Sequence, residues 1–253
     1  MSPLDRGSPP EAGAIRPFEF PPVERRELPG GLDLRVARVA RLPAVSVRLF
    51  VRAGEMALHE DQAGLAVLAG DALEGGTRHR SGTELAEALE QIGARLGVST
   101  GWEGTSVMLS CLADRLEEGM ALLAETVLEP DFPEDEVERA RNQALAAVRQ
   151  REMDPGSSAS EEAARRYFST GTPYARPVAG TRASVESLGR DHVRGFADSF
   201  FRPGTGGLVV VGDVAADEIE AIASGPLSTC LLYTSPSPRD ARKYLVCRLL
   251  LEK

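Results

Sequence analysis

A protein-bound hydrolytic zinc needs about three protein ligands and one open position for water. Ligands on one helix must stand three or four residues apart to share a face. This chain has three histidines, His59, His79 and His192, and none belongs to a His-x-x-x-His or His-x-x-Glu-His arrangement. Each reads as a surface or loop histidine. Asp71 alone would hold a metal only weakly and reads as a helix-surface carboxylate. No metal site assembles from Asp71, Glu74 and the scattered histidines. Cys111, Cys230 and Cys247 form neither a disulfide framework nor a metal spacing, and a reducing compartment suits them. Residues 156–160 are serine-rich but lack a Gly-x-Ser-x-Gly frame and a nearby histidine, so they read as a helix entry. Gly204–Gly207 lacks the spacing of a dinucleotide loop. The acidic runs at Glu117-Glu118, Glu134–Glu138 and Glu161-Glu162 read as solvated helix faces.

The elements around these residues follow from periodicity. Leu32–Ala40 and Ala44–Arg52 alternate apolar and polar residues and predict two strands forming an antiparallel pair. Gln62–Glu74 predicts a helix stopped by Gly75-Gly76. Ser81 with Glu84 has capping-box spacing and opens a helix to about Ile92, with Leu85, Ala88, Leu89 and Ile92 as its buried stripe. Strands are expected at Arg95–Thr100 and Thr105–Cys111. Asp114 is expected to cap a helix running to about Leu128, and Pro133 to begin one that ends at Asp154-Pro155. A helix at Ser157–Ser169, a loop at Gly171–Gly180 and a helical stretch at Ser184–Phe201 broken near Gly189 follow. Gly207–Val211 is a short apolar strand, and Asp213 is placed to cap a last helix. This order predicts an α+β, two-layer fold, a mostly antiparallel sheet with helices packed on one face.

The chain of 253 residues is 42% hydrophobic and 26% charged, ordinary for a globular protein. Its net charge of −9 argues against nucleic acid or an anionic membrane as partner. No apolar run approaches the ~20 residues of a membrane helix, and the first residues show no secretory signal. A cytoplasmic location is expected, with residues 1–27 as a flexible arm. Every basic residue before position 230 is arginine; the lysines are Lys243 and Lys253. Cys230–Asp240, CLLYTSPSPRD, back-translates into a transposase-type sequencing adapter. Leu245–Lys253, LVCRLLLEK, back-translates into the flow-cell end of the same adapter. Residues 230–253 are therefore expected to be an adapter-derived, non-native tail and are set aside from the fold. Residues 28–229 are expected to form the α/β domain.

Two stretches carry a family resemblance. Gln62–Thr77, QAGLAVLAGDALEGGT, resembles the zinc helix of the insulinase/pitrilysin-type metallopeptidases, which include the mitochondrial processing peptidases. Gly64, Leu65 and Ala66 match its lead-in, and Gly76 and Thr77 its close. Pro173–Val214 resembles the family's Pro-Tyr-Gly-x-Pro-x-Gly-Thr loop, Ser-Leu helix, aromatic-Pro turn (Phe200, Phe201, Arg202, Pro203) and Val-Val-Val-Gly-Asp strand. With Ser46–Glu55 and Leu128–Glu136, the resemblance covers about residues 28–222, and the region from about 184 resembles the start of the family's second sequence domain.

The resemblance implies what is missing. The positions of the family's His, Glu and His hold Val67, Gly70 and Asp71. In the run Ala144–Pro155, Ala146 and Ala147 occupy the likely positions of its third ligand, a glutamate. The implied reading is a non-catalytic subunit without a cofactor of its own, pairing with a catalytic, zinc-bearing homologous subunit around a peptide substrate. The family binds peptides by β-augmentation on the strand beside the zinc helix. That strand is here Leu96, Gly97, Val98, Ser99 and Thr100, for which an ordinary internal strand is an equal reading. An active zinc endopeptidase with substitute ligands and a stand-alone peptide-binding scaffold are the alternatives.

Overall fold

The computed structural model describes Gly13, residues 19–169, 171–201 and 206–225, and Leu227. Most of the expected N-terminal arm, Arg202 and Pro203 of the aromatic-Pro turn, and the 230–253 tail lie outside the described residues.

Strands β1 (Val23–Leu28), β2 (Leu32–Arg38), β3 (Ala44–Val51), β4 (Arg95–Thr100), β5 (Thr105–Leu112) and β6 (Gly207–Gly212) form one sheet in the order β1-β2-β6-β3-β5-β4. All neighbours are antiparallel except β2 and β6. The expected antiparallel pairing of the second and third strands is therefore corrected, because β6 lies between them. Its Leu208 stands between Leu34 and Leu49, and its Val210 between Val36 and Val47. An apolar strand of this kind is satisfied only with a partner on both edges and a covered face. The short link Val39–Pro43 suggests a hairpin, yet it spans the width of an inserted strand.

Val23–Leu28 is a second correction. Its sequence VERREL is exposed except at Leu28 and carries no apolar alternation, so it read as part of the arm. It forms an edge strand through main-chain pairing with β2, the buried Leu28 and an Arg26–Asp217 ion pair at 3.0 Å. Asp114 is a third: it sits in a 3-10 turn, Ala113–Arg115, and Arg115 is the N-cap of the following helix. Asp213 likewise precedes the last helix without capping it, since that role falls to Ala215.

Eight α-helices are described: α1 (Leu65–Ala72), α2 (Gly82–Gln91), α3 (Leu116–Leu128), α4 (Glu134–Met153), α5 (Pro155–Tyr167), α6 (Arg182–Ser187), α7 (Arg190–Phe200) and α8 (Ala216–Ser224). The α2 capping box forms as read: Ser81 Oγ accepts from Glu84 N–H, and the Glu84 carboxylate accepts from Ser81 N–H. Asp154 caps α5 through Ser157 N–H, and this hydrogen bonding holds its carboxyl below the ordinary range. The core lies on one face of the sheet. Leu34, Leu208, Leu49 and Val107 form a buried row across four strands, and Val36, Val210, Val47 and Leu109 a second. On the opposite face Val209, Val211 and Leu112 remain open. Because β6 joins both halves of the sheet, Leu208→Ala is expected to cost about 2–5 kcal/mol, read as a lower urea midpoint with an unchanged denaturant slope.

Candidate peptide-binding edge and the degenerate metal position

Helix α1 begins at Gly64, which has φ +90° and offers no side-chain cap. The cap comes from nine residues upstream. Glu55, fully buried, accepts hydrogen bonds from Gly64 N–H at 3.0 Å and Ala66 N–H at 2.8 Å. Its carboxylate thus meets both the unpaired amides and the positive end of the helix dipole. Arg176 lies 3.8 Å away and donates to the Glu55 carbonyl at 3.1 Å and the Leu58 carbonyl at 2.8 Å. The Glu55 main chain reaches a third element: Glu55 N–H donates to Gly101 O and Met56 N–H to Trp102 O, at the tip of the β4–β5 hairpin. Burial pushes the Glu55 carboxyl above its ordinary range, and the α1 amides and Arg176 oppose that rise. Gly180 closes the arrangement, since a Cβ there would overlap the Ala63 carbonyl at the α1 entry.

On α1, Val67, Gly70 and Asp71 share a face, as their spacing requires. Val67 is half-buried, Gly70 buried and Asp71 exposed. Gly70 packs against β4 so closely that any Cβ would overlap the Thr100 hydroxyl. That hydroxyl is fixed by a 2.9 Å hydrogen bond to Thr105 Oγ1, which in turn donates to Ala53 O at 2.8 Å. Ala146 and Ala147 sit exposed on α4, which packs against α1. Among the described residues no group of three His, Cys, Asp or Glu side chains is placed to hold a metal ion. His79 pairs with Glu129 at 3.0 Å, and His192 Nδ1 accepts from Gly189 N–H at the start of α7. The residues present do not fit a zinc ion.

Strand β4 is the terminal strand of the sheet, paired on one side with β5. Leu96, Val98 and Thr100 lie on the core face, opposite Leu109, Val107 and Thr105. Gly97 and Ser99 lie on the open face. Glu74, one turn beyond Asp71, is influenced by the Val98 amide of β4. Partial burial pushes both carboxyls up; the Asp71 charge adds to the rise at Glu74, while the Val98 amide and Arg139 on α4 oppose it. Sequence reasoning missed Glu55 and Arg176. The signal available was an acidic residue shortly before a glycine-initiated helix, too common to single out.

Residues 36–182 match the model of the insulinase family, peptidase family M16. The chain belongs to the insulinase family. It is 28% identical over 200 residues to an uncharacterized zinc protease of Mycobacterium leprae, covering 79% of this chain and 45% of that protein. It is 28% identical over 177 residues to a protein of Helicobacter pylori named a non-peptidase homolog, covering 70% and 41%. Among solved structures, an M16 inactive domain from Pseudomonas fluorescens superposes with a TM-score of 0.76 at 28% identity, covering 83% of this chain and 50% of that one. The chain spans about half the length of the relatives it matches.

Glu55→Ala removes the acceptor of two helix amides and the counter-ion of a nearly buried guanidinium. It is expected to cost about 3–5 kcal/mol, and Glu55→Gln less, because its amide oxygen still accepts. A raised folded value means the folded state holds the proton longer than the unfolded one. Wild-type stability should therefore fall as pH rises through that value, and the fall should be smaller in Glu55→Gln, where Asp71 and Glu74 still contribute. Urea unfolding of both proteins at several pH values checks this.

Proposed function

We propose that this chain is a non-catalytic, peptide-binding member of the insulinase family that pairs with a zinc-bearing homologue around a shared peptide. The carrying observation is the tight packing of Gly70 against Thr100, at the position that corresponds to the family's general base. Gly70 brings α1 against Thr100, so the position of the family's general base is filled by packing as well as changed in type. The names of two relatives, a non-peptidase homolog and an inactive domain, support the same reading. The open edge of β4 supports the binding half of it: an extended peptide can add to a terminal strand through main-chain hydrogen bonds. A cytoplasmic location belongs to this reading, and no helix among the described residues is long and apolar enough to cross a membrane.

Elemental mass spectrometry after exposure to zinc and desalting tests the first half. The expected result is no stoichiometric zinc in the chain as it stands. Restoring His, Glu and His at 67, 70 and 71, with Glu at 146 or 147, should still yield none unless Thr100 is also reduced to glycine. One tightly held zinc per unmodified chain would sink the proposal. Mixed with a zinc-bearing homologue, the chain should form a one-to-one complex by light scattering, and peptide hydrolysis should require both.

Glu74 competes with an incoming strand for the Val98 amide. Glu74→Gln weakens that competitor, so an uncharged extended peptide should bind roughly fivefold tighter, about one hydrogen bond's net worth. Fluorescence anisotropy of a labelled peptide measures it; unchanged affinity would place the peptide elsewhere.

A further inference from the structure

The sheet has a second face, turned away from the core. The helices that pack on the sheet meet its core side: α1 brings Gly70 to Thr100, α3 sets Gly119 against Leu109 and Cys111, and Asp217 of α8 holds Arg26. On the other side Val209 is 41% exposed, Val211 40% and Leu112 50%. Strand pairing fixes what stands beside them. Arg25, Arg35, Val209, Arg48 and Met108 form one row across five strands, and Val23, Ala37, Val211 and Ser46 belong to the next. An exposed apolar patch rimmed by polar groups marks a contact surface.

This face is basic on a chain whose net charge is −9. Arg25, Arg35, Arg48 and Arg95 share it with the acids Glu27 and Asp33. Arg25 stands directly opposite Arg35, and like charges so placed destabilise a sheet. Asp33 answers Arg35 at 2.7 Å. Among the described residues Arg25 and Arg48 meet no carboxylate; the Arg48 guanidinium donates to the Met108 sulfur at 3.2 Å, a weak acceptor. Arg25 and Arg35 lie on one side of Val209 and Arg48 on the other, so whatever covers the valines has cations along both flanks.

We infer that this face docks an acidic amphipathic helix of a partner protein, its apolar stripe over Val209 and Val211 and its carboxylates against Arg25 and Arg48. A helix suits the pattern because its apolar stripe runs between two polar flanks. A second copy laid face to face would set arginines against arginines. A nucleic acid would leave the valines without apolar contact and would meet the chain's overall negative charge. The inference stands whether or not the β4 edge binds peptide.

The experiment titrates the 253-residue chain into a fluorescein-labelled helical peptide of about four turns, with leucine along one stripe and glutamate on both flanks. Its twin carries lysine in place of glutamate, and anisotropy follows both. The expected result is saturable binding of the glutamate peptide that weakens with added salt, and at least tenfold weaker binding of the lysine twin. Arg25→Gln combined with Arg48→Gln should weaken the glutamate peptide about fivefold, and Val209→Thr should weaken it too, with unchanged thermal melts. Equal affinity for the two peptides, no saturable response, or indifference to the arginine substitutions would overturn the inference. A chain dimer in light scattering that Val209→Thr dissolves would assign the face to a second copy and overturn it as well. So would tighter binding of a single-stranded oligonucleotide than of the glutamate peptide. If Val209→Thr loses its cooperative melt, the two arginines, both exposed, decide.

Discussion

The carboxylate of Glu55 is the point through which three separate segments are held in register. Its side chain closes the amino end of α1, its main chain holds the tip of the β4–β5 hairpin, and Arg176 ties to it the loop that follows α5. A buried charge of this kind is costly alone and tolerable only with several partners. Here three kinds of partner converge on it, and two of them, α1 and the β4–β5 hairpin, belong to elements at the candidate binding edge. Through it the start of α1 and the tip of the β4–β5 hairpin are tied to one residue. The raised carboxyl shows that burial still outweighs the compensation.

The contact between α1 and β4 is built from small and hydroxyl-bearing residues. Imidazoles and a general-base carboxylate need water, metal or hydrogen-bond partners, and they keep a helix away from its neighbour. With Val67 and Gly70 on that face the helix settles onto the strand, and the Thr100 and Thr105 hydroxyls pair with each other and with Ala53 instead. What was left polar there, Asp71 and Glu74, lies at the rim, where partial burial raises both carboxyls. A pair of mutually repelling carboxylates beside an unpaired strand edge is a local cost at the place where the sheet is open to a further strand.

Much of the fold was legible because it rests on local rules. The Ser81–Glu84 box, Pro133 at a helix start, the break at Gly189 and the apolar run of β6 each follow from a side chain or a missing one acting within a few residues. What was illegible depends on distance. The insertion of β6 between β2 and β3 joins segments some 170 residues apart, and a five-residue link had suggested a hairpin. β1 is exposed except at Leu28 and carries no apolar alternation, since its pairing with β2 is made by the main chain. At the site, the absence of ligands could be read position by position, whereas the Gly70–Thr100 contact and the Glu55 hub exist only once remote segments meet.

The distinction matters for the difference between a lost residue and a lost site. A chain that merely lacks its ligands keeps an open groove, and restoring the side chains restores the metal. Here a side chain at position 70 would meet the packing of α1 against β4, and close-packed interiors do not yield space without cost. A side chain at position 70 must displace Thr100, and Thr100 is held through Thr105 to the turn that leads into Glu55. A larger residue at position 70 therefore disturbs contacts that run to the network capping α1. The packing that stabilises this end of the sheet is thus the packing that resists a side chain at position 70, and among the described residues no strand pairs with the outer side of β4.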